Sequence, residues 1–90
     1  MKEVLIFGSG SIGNHLANAC RKINLSVSVT DISFDALLRM KYKIYPSRYS
    51  KWDKNIKLMN YSEIFKLKKK FNLIIIGTPP ATHYDLIKKI

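Results

Sequence analysis

The sequence predicts an α/β domain built on an open parallel sheet, with elements in the order β-α-β-α-β-α-β-α and strands in the spatial order 3-2-1-4. Three observations predict it. Val4-Leu5-Ile6-Phe7 and Leu73-Ile74-Ile75-Ile76 are short apolar runs without alternation, the pattern of strands buried on both faces. Segments with helical apolar spacing fall between the strands. A glycine-rich turn, Gly8-Ser9-Gly10-Ser11-Ile12-Gly13, joins the first strand directly to the first helix.

From Ile12 the apolar positions Leu16, Ala17, Ala19, Cys20 and Ile23 follow helical spacing, and Asn14, His15, Asn18, Arg21 and Lys22 fall mostly on other faces. Asn24 is the expected C-cap. Ser26–Asp31 alternates small polar with β-branched residues and reads as the second strand. Ser33 is suited to cap a helix over Phe34–Lys43, with Ala36, Leu37, Leu38 and Met40 inward. Tyr45–Asn55, polar, aromatic and carrying Pro46, reads as irregular. Ile56–Met59 is the expected third strand. Ser62 would cap a helix through Glu63, Ile64, Phe65 and Leu67 to about Lys70. The fourth strand, Leu73–Ile76, ends at Gly77. Thr78-Pro79-Pro80 is a stiff loop, and Thr82 opens a last helix with Asp85 three residues on.

Composition bounds the partners. Ninety residues form one small domain, and 47% apolar content excludes a disordered chain. The net charge is +10, yet 13 of the 16 basic residues are lysines, scattered except at Lys66, Lys68, Lys69 and Lys70. Nucleic-acid readers favour arginine, whose planar fork matches phosphates and guanine edges, so no nucleic-acid partner is expected. No run approaches the ~20 apolar residues of a membrane span. The N-terminus lacks the pattern of a signal peptide, and Cys20 stands alone, so a cytoplasmic setting and no disulfide are expected.

G-x-G-x-x-G is weak evidence alone. Here it follows an apolar strand, opens an amphipathic helix, and precedes an acid at the end of the next strand. Asp31 lies 18 residues after Gly13, near the spacing of about 20 seen in Rossmann-type dinucleotide sites. In that reading Gly8 permits the turn, Gly10 lets a pyrophosphate approach the backbone, and Gly13 lets the helix lie close to the sheet. The N–H groups around Ser11 and Ile12 face the phosphates with the helix dipole behind them. Asp31 accepts from the adenine-ribose hydroxyls and repels a 2′-phosphate, favouring NAD over NADP. Arg39 would soften that preference only if it stood near the ribose.

The pair of motifs G-S-G-S-I-G at 8–13 and T-P-P-A-T-H at 78–83, the second following an apolar strand, resembles the N-terminal domain of the glucose–fructose oxidoreductase and inositol dehydrogenase (Gfo/Idh/MocA) family. The likeness runs the length of the chain. It implies NAD as cofactor and, for the protein, hydride transfer to or from a sugar, polyol or related hydroxy compound. It implies cofactor contacts from Gly8, Gly10, Ser11, Ile12, Gly13, Asp31, Thr78, Pro79 and His83. The family's catalytic lysine segment and substrate domain have no counterpart in residues 1–90. The chain is therefore expected to be part of a dinucleotide-binding domain, with no catalytic residue of its own. The open edge Leu73–Ile76 is expected to favour self-association. Two other readings share the glycine loop: an NAD(H)-sensing module of the kind that gates potassium channels, which usually lacks the T-P-P-x-x-H segment, and an interaction domain that has lost its ligand.

The remaining candidates read as structural. His15 faces solvent, Cys20 belongs to the core, and His83 without the resemblance is a helix-start residue. A lone His and Cys make no metal site. Trp52, Tyr42, Tyr45 and Tyr49 are expected to pack over the sheet edge rather than stack bases.

Overall fold

The apolar run Glu3–Phe7 forms the central strand β1 of the computed structural model, which describes residues 2–67 and 70–77. Its alternation of direction sends Val4 and Ile6 to one face of the sheet and Leu5 and Phe7 to the other. All four are buried, because each face carries its own apolar layer. The strands β2 (Ser26–Asp31), β3 (Lys57–Asn60) and β4 (Leu73–Ile76) lie parallel to it in the order 3-2-1-4, as the sequence predicts. In register, Val4 stands beside Val27 and Leu73, and Phe7 beside Thr30 and Ile76.

One face is covered by α1 (Ser11–Lys22) together with a helical run after β2. The other carries α4 (Tyr61–Lys66), whose Ile64 packs with Leu5 and Phe7. This is a Rossmann-like α/β sheet, and it brings the carboxyl ends of β1, β2 and β4 to one edge.

Several local expectations are corrected. The buried stripe of α1 is Gly13, Asn14, Ala17 and Cys20, so Asn14 lies inward, whereas Ala19 is exposed and Ile23 is 68% exposed. Spacing marked Asn14 as polar; the loop it braces, described below, supplies its partners. Asn24 does stop α1, but one position past the C-cap Ile23, in the left-handed region at φ 61°. Its N–H donates to Arg21 O and that of Leu25 to Cys20 O, closing the last turn in a Schellman motif.

Ser33 caps the next helix as expected, accepting from Ala36 N–H. The helix does not end at Lys43, and Tyr45–Asn55 is not all irregular. α2 (Phe34–Arg39) continues through a wide π turn, Met40–Ile44, into α3 (Tyr45–Tyr49). Pro46 has no N–H to give the preceding turn and its ring crowds that turn's carbonyls, which the wider turn relieves. Burial of Tyr45 against Tyr49 and Trp52, with ring centroids 4.7 and 5.2 Å apart, holds α3 in place. Tyr42, in contrast, is exposed.

The cap of α4 is Asn60, not Ser62. Asn60 is extended at the end of β3, and Glu63 stands three residues on, where its side chain accepts from Asn60 N–H to complete a capping box. Counted from Ser62, that third position is Phe65, which cannot return the bond. The helix also stops earlier than expected, with Leu67 extended. The expected last helix, from Thr82, lies outside the described residues.

Candidate functional site

The loop between β1 and α1 is held from three sides. Gly8, at φ 112° where side-chain residues are strained, donates its N–H to Thr30 O at 2.8 Å. Gly13 presses on the same residue: a Cβ there would collide with the Gly8 carbonyl oxygen. Gly10 differs from both. A Cβ at Gly10 would meet nothing within 4 Å, and its φ of −79° suits any residue, so neither conformation nor packing requires glycine there. The space beside it is open.

Gly10 is also the N-cap of α1 and offers no side chain to satisfy the helix's first N–H groups. The α1 terminus therefore presents backbone donors and the positive end of its dipole to that space, an arrangement suited to an anion.

Asp31 sits beside the loop at the end of β2. Its Oδ2 accepts from Ser9 N–H and from Ser9 Oγ–H, both at 2.9 Å, and its Oδ1 from Ser33 N–H at 2.9 Å. A carboxylate has about four acceptor positions, so three are taken. Asp31 thus ties the glycine loop to β2 and keeps one position for an outside donor, or two if the Ser9 hydroxyl rotates away. Arg39 lies exposed at the end of α2, lining a groove with Asp35, Leu38, Tyr42 and Lys43.

The exit from β4 passes over the same turn. Gly77 N–H donates to Phe7 O at 2.8 Å, and a Cβ on Gly77 would lie 4.0 Å from Gly13 N. The chain thus leaves β4 directly over the first turn of α1. Thr78, Pro79 and His83 follow Gly77 and lie outside the described residues.

Sequence spacing missed three residues. Ser9, 1% exposed, is the loop's link to Asp31. Asn14, fully buried, donates from Nδ2 to Ser9 O at 2.9 Å and Gly10 O at 2.8 Å, turning those carbonyls inward; its Oδ1 has no protein partner. A polar residue one past the third glycine was the available signal. Arg48, from α3, donates from Nη1 to Ser11 O at 3.0 Å and from Nη2 to Ser11 Oγ at 2.8 Å. No pattern could place it there, because 37 residues separate the two. Asn14→Ala is expected to lower stability by about 2 kcal/mol, since two loop carbonyls lose their buried donor. Urea unfolding measures this, and an unchanged midpoint would show that the brace is idle.

Burial pushes the Cys20 thiol up, away from thiolate chemistry. Burial, then Asp53 and Tyr49, pushes the Tyr45 phenol up, and its hydroxyl donates to Asn18 Oδ1. His15 is exposed. Among the described residues no cluster of His, Cys, Asp and Glu is arranged to hold a metal, and no helix is long and apolar enough to cross a membrane.

The fold and loop together define a Rossmann-like α/β domain with a glycine turn at the start of α1. No protein-family model, curated protein or solved structure matches the chain.

Proposed function

We propose that the chain binds NAD(H) at the carboxyl end of its sheet, as the cofactor-holding portion of an oxidoreductase acting on a sugar, polyol or related hydroxy compound. The observation that carries the binding is Gly10. Its missing side chain serves neither the backbone nor the packing, and it opens space beside the donors of the α1 terminus. The diphosphate would lie on the N–H groups of Ser11 and Ile12, and the adenine ribose would donate to the remaining acceptor position of Asp31. The charge on Asp31 disfavours a 2′-phosphate, hence NAD over NADP. The nicotinamide ring carries the hydride; residues of this chain bind and orient the cofactor. The reaction class rests on the T-P-x-x-x-H segment at 78–83 and its resemblance to the sugar and inositol dehydrogenases.

Titration with NADH, followed by the cofactor's fluorescence, is expected to saturate, with NADPH binding more weakly. Absence of a saturable change with either cofactor would overturn the reading. A panel of sugars and polyols, assayed for NAD reduction, tests the reaction class. Saturable binding without turnover on any of them would favour a sensing module.

A further inference from the structure

The charges around the glycine turn do not balance for a diphosphate. The loop Gly8–Gly13 carries no basic side chain. The helix terminus supplies only about half an elementary charge, and Asp31 adds a full negative one nearby. The cations of α1 itself, Arg21 and Lys22, lie in its last turn, roughly 15 Å away at 1.5 Å rise per residue.

One cation does reach this end of the helix. Arg48 grips the first residue of α1 through Ser11 O and Ser11 Oγ. It is exposed, and among the described residues the ion pair joins Arg21 to Asp53 and no carboxylate pairs with Arg48. Two of its five N–H donors are used, leaving three. For the folded chain alone the placement is unfavourable, because cations belong at helix C-termini and anions at N-termini. A local rule broken by a side chain on a fixed element points to a ligand supplying the missing charge. The element that carries Arg48 is fixed: α3 is anchored by buried Tyr45, whose ring is tilted against Tyr49, meets Trp52 edge to face and bonds to Asn18 on α1.

We infer that Arg48 is a cofactor-binding residue, the cation that faces the dinucleotide's diphosphate across the α1 terminus. The inference rests on the dinucleotide reading above. The planar guanidinium suits this task, because it can hold Ser11 along one edge and present its other N–H groups to phosphate oxygens. Its contact with Ser11 also keeps the charge in position before the ligand arrives.

Calorimetry with ADP-ribose, which carries the diphosphate and adenine ribose without nicotinamide, tests this on the whole chain. Arg48→Met is expected to weaken binding about 10-fold, the scale of one charge-assisted contact, and to flatten its salt dependence. Arg48→Lys, keeping the charge without the fork, is expected to recover to within about threefold of the native affinity. Unchanged affinity in Arg48→Met would overturn the inference while leaving the dinucleotide reading intact. So would equal losses in both variants with native salt dependence, the signature of a brace on Ser11 alone. A native chain that does not bind ADP-ribose would overturn both.

Discussion

Gly13→Ala is expected to destabilise the fold by about 3 kcal/mol, the upper end of what overpacking costs. The new Cβ would collide with Gly8 O and come within 2.9 Å of the Gly8 carbonyl carbon, both backbone atoms that no rotamer change can move. Gly8 cannot retreat either, because its N–H is bonded to Thr30 O. The helix would have to lift from β1, drawing Ala17 and Cys20 out of their layer. A domain of this size has roughly 5 kcal/mol of stability in total, so urea unfolding should show a markedly lower midpoint. Gly10→Ala makes the contrast. Its Cβ meets open space, so stability should stay within about 0.5 kcal/mol while NADH affinity collapses. If both variants unfolded alike, Gly10 would be a packing glycine and the open space beside it would lose its meaning.

Asp31→Ala is expected to have the largest effect on ligand preference. It removes the acceptor proposed for the adenine ribose, and NADH affinity should fall roughly 10- to 100-fold, the scale of one charge-assisted bond. It also strips Ser9 N–H, buried in the loop, of its acceptor, which should cost about 1–3 kcal/mol of stability. Asp31→Asn separates these effects. It keeps an acceptor for Ser9 but loses the charge that repels a 2′-phosphate, so the NADH-to-NADPH affinity ratio should move toward one. A ratio unchanged in Asp31→Asn would mean that Asp31 serves the loop and not the ribose.

Much of this site was legible before the fold was known. The strands announce themselves because a parallel sheet covered on both faces needs residues such as Val4–Phe7 and Leu73–Ile76 without polar interruption. The glycine loop was legible because Gly8 and Gly13 answer to short-range geometry: a turn at positive φ, and a helix and strand in near contact. Ser33 was legible for the same reason, since its cap bond closes within three residues. The helix α3 was not, because its existence depends on burial of Tyr45 and on the widened turn before Pro46, which no local propensity reports. Asn60 displaced Ser62 because a capping box needs a partner three residues on, a pairing rule that outranks the preference for serine.

From the order of residues alone follow the parallel α/β sheet, its 3-2-1-4 order, and the meeting of Gly8, Gly10 and Gly13 with Asp31 at one edge. Each depends on spacing and on hydrophobic runs within a few tens of residues, and parallel crossovers have one hand. The folded chain alone shows that the Asp31 carboxylate is mostly engaged by Ser9 and Ser33, that Asn14 turns the loop carbonyls inward, and that Arg48 stands at the start of α1. These are contacts between side chains and backbone brought together by packing. Their energies depend on distance and burial, and neither is written in sequence separation.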